Sequence, residues 1–413
     1  MNIPCDSDRL ARLLAEINGF GHNPATGGYD RPAFGEADMA VRRHFRETME
    51  RDGLATRMDA AGNVFGRLGP DGAPAVMIGS HLDMVPSGGA FDGALGCAAA
   101  LECVRSIRDA GLPLAHPVEV VATADEEGRF GGMLGSQAIT GSLPPGWAET
   151  TTDPAGVRLA DAMREAGLDV LAVPSAAWPA GSIRAFLELH IEQGPVLEAA
   201  GCPVGIATAV SGCTVLDIHL AGVANHSGTT PMDMRRDAFV GLARIGAALP
   251  DLARTVGSRD SRLTIGHVAL SPNAAHTIAG EAQATVIVRD VDGSLMARLC
   301  DEVGILVRRV AAEIGLTEVV RERSRLAPVA LDANLAALFA SEAARGHGAG
   351  RGIIKAVMER AREDGYREIK LDTMIRLTEA IGLYRKLGFE PCAPFYDLDP
   401  AFEGLVEFYG RAL

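Results

Sequence analysis

The sequence has no long hydrophobic run, no paired cysteines and too few basic residues to balance its acidic ones. No apolar run approaches the roughly 20 residues that a membrane-spanning helix requires. The first residues also lack the basic start and the apolar core of a signal peptide. The 7 cysteines are scattered singly, without a CxxC pair, which favours reduced thiols. These absences predict a cytoplasmic protein.

Acidic residues outnumber basic residues in this chain of 413 residues. There are 53 Asp and Glu against 39 Lys and Arg, so the formal net charge is -14. Nucleic acids and anionic membranes would repel such a protein, and we expect neither as a partner. The length exceeds that of one typical hydrophobic core and predicts two or three domains.

The order of predicted elements indicates an α/β protein that contains a second, different domain. Apolar strands at 75–80 and 118–124 flank a predicted helix at 93–111, which implies a mixed, largely parallel sheet. From 210 to 325 alternating strands and two helices predict an α+β domain with a four-stranded sheet. Functional groups of parallel sheets lie on loops at the carboxyl ends of the strands.

Histidine, carboxylate and amide side chains follow three predicted strands at the points where those strands end. They are His81, Asp83 and Asp92 after the first strand, Glu126 and Glu127 after the second, and His190 with Gln193 after the third. A single strand histidine is more often a hydrogen-bonded core residue, and an Asp-Glu-Glu run is usually a solvated surface. Three strand ends that each supply nitrogen or oxygen ligands instead favour zinc or a similar divalent ion. The Asp83 carboxylate is then a candidate to orient the ring of His81.

Several motifs resemble those of one family of metallohydrolases. GSHLDMVPSGGAFDGALG, DEEGRF, HIEQGP and HSGTTPM occur in the order found in the zinc-dependent amidohydrolases related to aminoacylase and carboxypeptidase G. The sequence is similar above all to the branch with N-carbamoyl-L-amino acid hydrolases, β-ureidopropionase and allantoate amidohydrolase, over residues 1 to about 343. The resemblance implies hydrolysis of a linear amide or ureido C–N bond in a small carboxylated substrate. An N-carbamoyl-L-amino acid is the first candidate.

The resemblance also implies roles for the candidate ligands. His81, Asp92 and His190 would bind one metal ion, and Asp92 with Glu127 would hold a second, so that Asp92 bridges the two sites. Glu126 would be the general base that takes a proton from water and delivers it to the leaving nitrogen. Zinc is the expected metal, with manganese and cobalt as alternatives.

Further substrate contacts are implied on both domains. Gln193 and Arg289 would contact the substrate, and Arg289 would form a bidentate pair with its carboxylate. His226 would stabilise the oxyanion, often in the active site of the partner subunit, so the resemblance implies a homodimer formed through this lid domain. Relatives usually carry NVIPG where this chain has HTIAG. His276 therefore stands where an asparagine is expected, which leaves the substrate preference open.

A different resemblance begins after residue 344. RGHGAGRG and LYRKLGF are similar to the second half of a GNAT-type N-acetyltransferase. That resemblance implies acetyl-CoA binding by Arg345, Gly348 and Gly350, with Tyr384 as general acid. The family's last metal ligand, a histidine in a SGAGHDA-like motif, has no counterpart here, and His347 on its glycine-rich turn is a poor substitute. We therefore expect one of two metal sites to be incomplete.

These patterns predict three parts. Residues 1–209 form the metal-binding domain, to which 326–344 return; 210–325 form the lid and dimerisation domain; and 345–413 form a partial GNAT-like α/β segment. The leading hypothesis is a metal-dependent amidohydrolase whose turnover is impaired by the missing ligand. An acetyl-CoA-dependent transferase and an inactive dimeric fusion are the alternatives. The sequence leaves open the substrate, the metal and the origin of the fusion.

Overall fold

The chain forms two compact units, Met1–Pro203 and Val204–Leu413. The computed structural model describes residues 3, 5–344, 367–374, 378–394 and 406–412. The three-part division, including the return of 326–344 to the first domain, stays a prediction. Within these described ranges no helix is long and apolar enough to cross a membrane.

The first unit contains a five-stranded mixed sheet. Its strands are β1 (Ala55–Met58), β2 (Val64–Leu68), β3 (Ala75–His81), β4 (Val118–Thr123) and β5 (Ile183–Leu187), in the order β1-β2-β4-β3-β5. β3 pairs parallel with both β4 and β5, whereas the β1–β2 and β2–β4 pairs are antiparallel. The sheet is mixed, as predicted, and its parallel part is limited to the three strands that the candidate ligands follow.

Seven α-helices and one 3-10 helix accompany this sheet in the described part of the first unit. They are α1 (Ser7–Ile17), α2 (Glu36–Arg51), α3 (Ala94–Asp109), α4 (Leu134–Thr140), α5 (Trp147–Thr150), α6 (Leu159–Glu165) and α7 (Val196–Ala199), with the 3-10 helix at Val170–Ala176. The α1 helix begins where the Asp6 side chain accepts a hydrogen bond from the Arg9 N–H. Phe45 and Met49 of α2 and Leu101 of α3 are fully buried in one hydrophobic core. That core fixes the sheet and the loops at its edge.

The second unit contains a four-stranded antiparallel sheet and two long helices. Up to residue 330 its strands are β6 (Ala209–Val210), β7 (Gly212–Ala221), β8 (Arg262–Ser271), β9 (Glu281–Asp290), β10 (Thr317–Leu326) and β11 (Val329–Ala330). The two long helices are α8 (Ala238–Val256) and α9 (Gly293–Ile314), and a 3-10 helix lies at Met232–Met234. The sheet order is β10-β7-β9-β8, and β6 pairs separately with β11. Leu216, Leu242 and Val303 represent the shared core between the sheet and the helices. The predicted four-stranded, two-helix α+β arrangement is therefore present.

The remaining described elements are short. They are α10 (Ala333–Ala344), β12 (Glu368–Met374), α11 (Thr378–Lys386), β13 (Glu390–Pro391) and β14 (Val406–Ala412), with the strands in the order β12-β14-β13. The Tyr384 ring packs against the rings of Phe389 and Tyr409, with centroids 6.1 and 6.3 Å away. Arg345, His347, Gly348 and Gly350 lie outside the described residues. The acetyltransferase resemblance therefore stays a prediction.

The close approach of β3 and β4 at Gly79 generates the first testable prediction. A Cβ atom on Gly79 would overlap the Val121 carbonyl oxygen and lie 2.7 Å from Val121 Cγ1. We expect Gly79→Ala to lower the free energy of unfolding by about 1–3 kcal/mol, because backbone atoms must move to admit the methyl group. Urea unfolding measures this change.

Gly266→Ala is the matched control, because a Cβ atom at this β8 glycine would meet nothing within 4 Å. Its free energy of unfolding should stay within about 0.5 kcal/mol of the parent value. Equal destabilisation by the two substitutions would contradict the close packing of β3 on β4.

Candidate metal centre

The candidate ligands emerge at one edge of the first sheet. His81 is the last residue of β3 and pairs in register with Thr123, the last residue of β4. Glu126 lies three residues after β4, and His190 lies three residues after β5. Because these three strands are parallel neighbours, the loops that follow them start side by side.

Three of the predicted metal ligands come together. One ligand atom from each of His81, Asp92 and His190 lies within 4.8 Å of the other two. The Asp92 Oδ1 atom is 3.8 Å from His81 Nε2 and 3.3 Å from His190 Nε2. Two imidazoles and a carboxylate are ligands that zinc accepts.

The orientation of both imidazole rings suits metal binding. His81 Nδ1 lies 3.0 Å from the Asp83 carbonyl oxygen, and His190 Nδ1 lies 2.6 Å from the Ile191 carbonyl oxygen. A carbonyl oxygen only accepts, so each Nδ1 donates, and each Nε2 is the ring nitrogen that faces Asp92. Asp83 therefore orients the His81 ring through its main-chain carbonyl and not, as the sequence predicts, through its carboxylate.

The Asp92 carboxylate supplies the test of fit. Its Oδ1 atom is buried and has no hydrogen-bond partner among the described residues. A buried acceptor without a partner is costly, and a cation between it and the two Nε2 atoms would satisfy it. The residues present therefore fit a divalent metal ion. In this structure the other oxygen, Oδ2, accepts a hydrogen bond from the side-chain amide of Gln193.

Local backbone structure holds Asp92 beside His81. Gly93 follows Asp92, has a φ of 61° and precedes α3. A Cβ atom at Gly93 would lie 2.5 Å from the His81 ring, so only glycine allows this approach. The Asn18 side chain holds the preceding loop, because its amide donates a hydrogen bond to the Ala90 carbonyl oxygen at 2.8 Å.

Burial and charge set the protonation of the acid–base candidates. Burial raises the pKa of Glu126, His81 opposes that rise, and Asp83 adds to it. Burial also raises the pKa of Glu127, again against the effect of His81. Burial alone lowers the pKa of His81, but Asp92, Asp83 and Glu126 outweigh it and raise that pKa to about 9. The site therefore attracts positive charge, whether proton or metal ion.

The carboxylates that follow β4 have separate environments. Glu126 Oε2 is 3.6 Å from His81 Nε2, so it faces the ligand cluster. Glu127 is not part of the three-residue group, and its main-chain N–H donates to Asp83 Oδ2 at 3.0 Å. The second metal site, with Asp92 and Glu127, therefore stays a prediction.

Sequence reasoning missed two charged residues beneath the site. Asp38 and Arg42 of α2 are both fully buried, and Arg42 Nε donates to Asp38 Oδ1 at 2.8 Å. A signal was available in their spacing. Asp38 and Arg42 recur with Phe45 and Met49 at helical intervals along the buried face of α2, where apolar residues are the norm.

Asp125 is a third residue that sequence reasoning missed. Its carboxylate is fully buried and accepts from the Phe130 N–H at 3.2 Å. Burial, reinforced by the charge of Asp83, raises the pKa of Asp125 to about 7. Its φ of 49° marks the sharp turn that leads from β4 into Glu126. In the sequence, Asp125 is the first of three adjacent acidic residues, and nothing in that pattern distinguishes it from a solvated acidic segment.

The second-unit candidates fall into two places. His226 bridges to Thr277 after β7, and the Ser227 N–H donates to the His276 carbonyl at 3.0 Å, so the two histidine loops adjoin. Arg289 pairs with Cys213 at the opposite end of β7. At about 3.3 Å per residue, the two ends of β7 between Cys213 and Ala221 lie about 26 Å apart.

The comparisons with known proteins agree with this geometry. Residues 77–372 match peptidase family M20/M25/M40. The chain belongs to this family. An N-carbamoyl-L-amino acid amidohydrolase of Geobacillus stearothermophilus is 38% identical over 328 residues, which is 78% of this chain and 79% of the relative. An allantoate amidohydrolase of Escherichia coli K12 is 35% identical over 312 residues, which is 72% of this chain and 75% of the relative.

A solved structure is also similar. The hydantoinase/carbamoylase family amidase from Burkholderia ambifaria superposes with a TM-score of 0.72 at 35% identity, covering 83% of each chain. These relatives confirm the prediction of an amidohydrolase that acts on carbon–nitrogen bonds other than peptide bonds. They give no support to the alternative of an acetyltransferase.

Removal of one imidazole tests the ligand cluster. We expect His190→Ala to weaken Zn²⁺ binding by about 100-fold or more, because a ligand that faces Asp92 Oδ1 is lost. Competition with a chromophoric chelator measures the affinity of the metal-free protein for Zn²⁺. His116→Ala is the control, since His116 is half-buried before the first residue of β4, where its Nδ1 lies 3.0 Å from the Pro74 carbonyl oxygen. Equal affinities for these two variants would contradict the assignment of His190.

Proposed function

We propose that this M20 family member hydrolyses the C–N bond of an N-carbamoyl-L-amino acid or a similar ureido acid, with zinc held by His81, Asp92 and His190. The observation that carries the proposal is the buried, unpartnered Oδ1 of Asp92 between two imidazole Nε2 atoms. The N-carbamoyl-L-amino acid and allantoate amidohydrolases among its relatives support the substrate class. Manganese and cobalt are the alternative metals, because the same nitrogen and oxygen ligands accept them.

The residues of the first unit divide the chemical work. When bound, a divalent cation lowers the pKa of water toward neutrality and polarises the substrate carbonyl. Glu126 takes the proton from the attacking water and delivers it to the leaving nitrogen. Its half-buried position, which raises its pKa, suits a group that must both accept and return a proton. His81 and His190 keep their Nε2 atoms toward the site through their Nδ1 hydrogen bonds.

The remaining candidates position the substrate. Gln193 lies beside Asp92, so its amide is placed to contact a substrate that enters the cluster. Arg289 provides the guanidinium for the substrate carboxylate, and His226 and His276 provide donors for the oxyanion. Because Arg289 and the two histidines lie at opposite ends of β7, one small substrate cannot contact both groups of a single second unit.

This separation supports a homodimer in which the second unit acts as the dimerisation and lid domain. Each active site would receive His226 from the partner subunit. The two-fold arrangement makes the exchange reciprocal, so that both sites are completed together. Oligomeric assembly would then be a requirement for activity.

Removal of the general base tests the proposed reaction. We expect Glu126→Gln to reduce kcat on N-carbamoyl-L-amino acids by about 100-fold or more, because proton transfer is lost. Free amino acid and ammonia released by the Zn²⁺-loaded protein are the measured products. Zn²⁺ affinity should stay near the parent value, since Glu126 lies outside the three-ligand group.

Glu149→Gln is the matched control, because the same chemical change there falls on the short helix α5. It should leave kcat unchanged. Parent-like turnover by Glu126→Gln would eliminate Glu126 as the base, and no turnover by the Zn²⁺-loaded parent chain on any ureido acid would eliminate the proposed reaction.

Mixing two inactive variants tests the shared active site. In a heterodimer of Glu126→Gln with His226→Ala, one site has an intact Glu126 and receives His226 from the other subunit. Random exchange of subunits should therefore restore about one quarter of the parent activity. Re-association after mild denaturant, followed by product assay, makes the measurement. Absence of any recovery in verified heterodimers would show that His226 acts within its own chain.

A further inference from the structure

Arg42 carries the strongest observation outside the ligand set itself. It lies on α2, in a different part of the chain from every candidate ligand, and its side chain is completely buried. A fully buried guanidinium must place its donors on acceptors to offset the loss of water. The positions of those acceptors therefore show which parts of the structure Arg42 joins.

One set of acceptors lies on the main chain at the end of β4. Nη2 donates to the Thr123 carbonyl at 2.9 Å, and Nη1 donates to the Ala122 carbonyl at 3.2 Å. A third carbonyl, that of Gly62, accepts from Nη1 at 3.3 Å. Thr123 is the last residue of β4, so Arg42 holds the point from which the Glu126 loop departs.

A further acceptor joins Arg42 to the loop after β3. Nη2 donates to Asp83 Oδ1 at 3.2 Å, and the other Asp83 oxygen accepts from the Glu127 N–H at 3.0 Å. The carbonyl of the same Asp83 orients the ring of His81. Asp83 thus links the Arg42 guanidinium to the ring of His81 on one loop and to the main chain of Glu127 on the other.

We propose that Arg42 is a positioning residue, which sets the spacing between His81 and the Glu126–Glu127 loop and thereby the metal affinity of the site. The inference rests on the proposed metal centre. A lysine cannot replace it, because one ammonium lacks the planar fork that reaches the carboxylates and the carbonyls at once. The Asp38 carboxylate accepts a hydrogen bond from Arg42 Nε, which fixes the plane of the guanidinium.

The charge of Arg42 allows a positioning role to be distinguished from a direct electrostatic effect on the metal ion. A positive charge behind a cation site repels the cation, so loss of that charge alone would strengthen metal binding. Loss of the correct spacing between His81 and the Glu126–Glu127 loop would instead weaken metal binding. A purely structural ion pair would change the free energy of unfolding and leave the metal affinity as it was.

Arg42→Lys is the first test, because it keeps the charge and removes the fork. We expect the affinity of the metal-free protein for Zn²⁺ to fall by about 10- to 100-fold, the range for residues that orient metal ligands. Chelator competition gives the affinity, and urea unfolding of the metal-free protein gives the stability. The Zn²⁺ measurement needs no substrate, so a chain that binds Zn²⁺ without hydrolysing ureido acids would contradict the proposed function alone.

Arg105→Lys is the matched control. Arg105 is also buried in the first unit, and its Nε donates to Asp52 Oδ2 at 2.6 Å, but it lies on α3 three turns from the ligands. Its replacement should lower stability and change Zn²⁺ affinity less than about twofold. Equal Zn²⁺ affinities for Arg42→Lys and Arg105→Lys at similar stability would overturn the proposal.

A second variant covers the case in which Arg42→Lys does not fold. Asp83→Asn keeps the shape of the side chain and the carbonyl contact to His81, but removes the charge that Arg42 binds. We expect the same direction, weaker Zn²⁺ binding by about 10-fold or more. Unchanged or stronger Zn²⁺ binding by folded Asp83→Asn would also overturn the positioning role.

Discussion

The parallel pairing of β3 with β4 and β5 is the constraint on which the metal centre depends. It brings the carboxyl ends of three strands to one edge, in a register that sets His81 opposite Thr123. A slip by one residue would turn the His81 ring to the other face of the sheet and remove it from Asp92. Gly79 makes this register possible, because the two strands approach too closely there for any side chain.

The main chain orients both imidazole rings of the candidate site. Both imidazole rings donate to carbonyl oxygens, and Asp83 accepts from the main-chain N–H of Glu127. Such contacts depend on the path of the backbone, so the geometry of the site depends on the conformation of the loops that carry its residues. The buried guanidinium of Arg42 joins two of these loops, which explains why a charged residue occupies the core face of α2 despite its desolvation cost.

The two units contribute different chemistry to the proposed reaction. In that proposal the first unit would supply the nitrogen and oxygen ligands, and the second would supply the cationic and hydrogen-bonding groups for the substrate. Arg289 and the two histidines, His226 and His276, lie at opposite ends of β7. The family match over residues 77–372 includes parts of both units.

The sequence alone determined the family, the bounds of several elements and a set of candidate metal ligands, because these follow from local patterns. Strand and helix periods placed β3, α3 and β4 within two residues of their observed bounds, and the motifs identified His81, Asp92 and His190. Only the tertiary structure decided that Asp83 orients His81 through its carbonyl, that Arg42 lies beneath the site, and that Arg289 is remote from His226. These relations join residues far apart in the chain, and their geometry depends on strand register and burial, which no local pattern specifies.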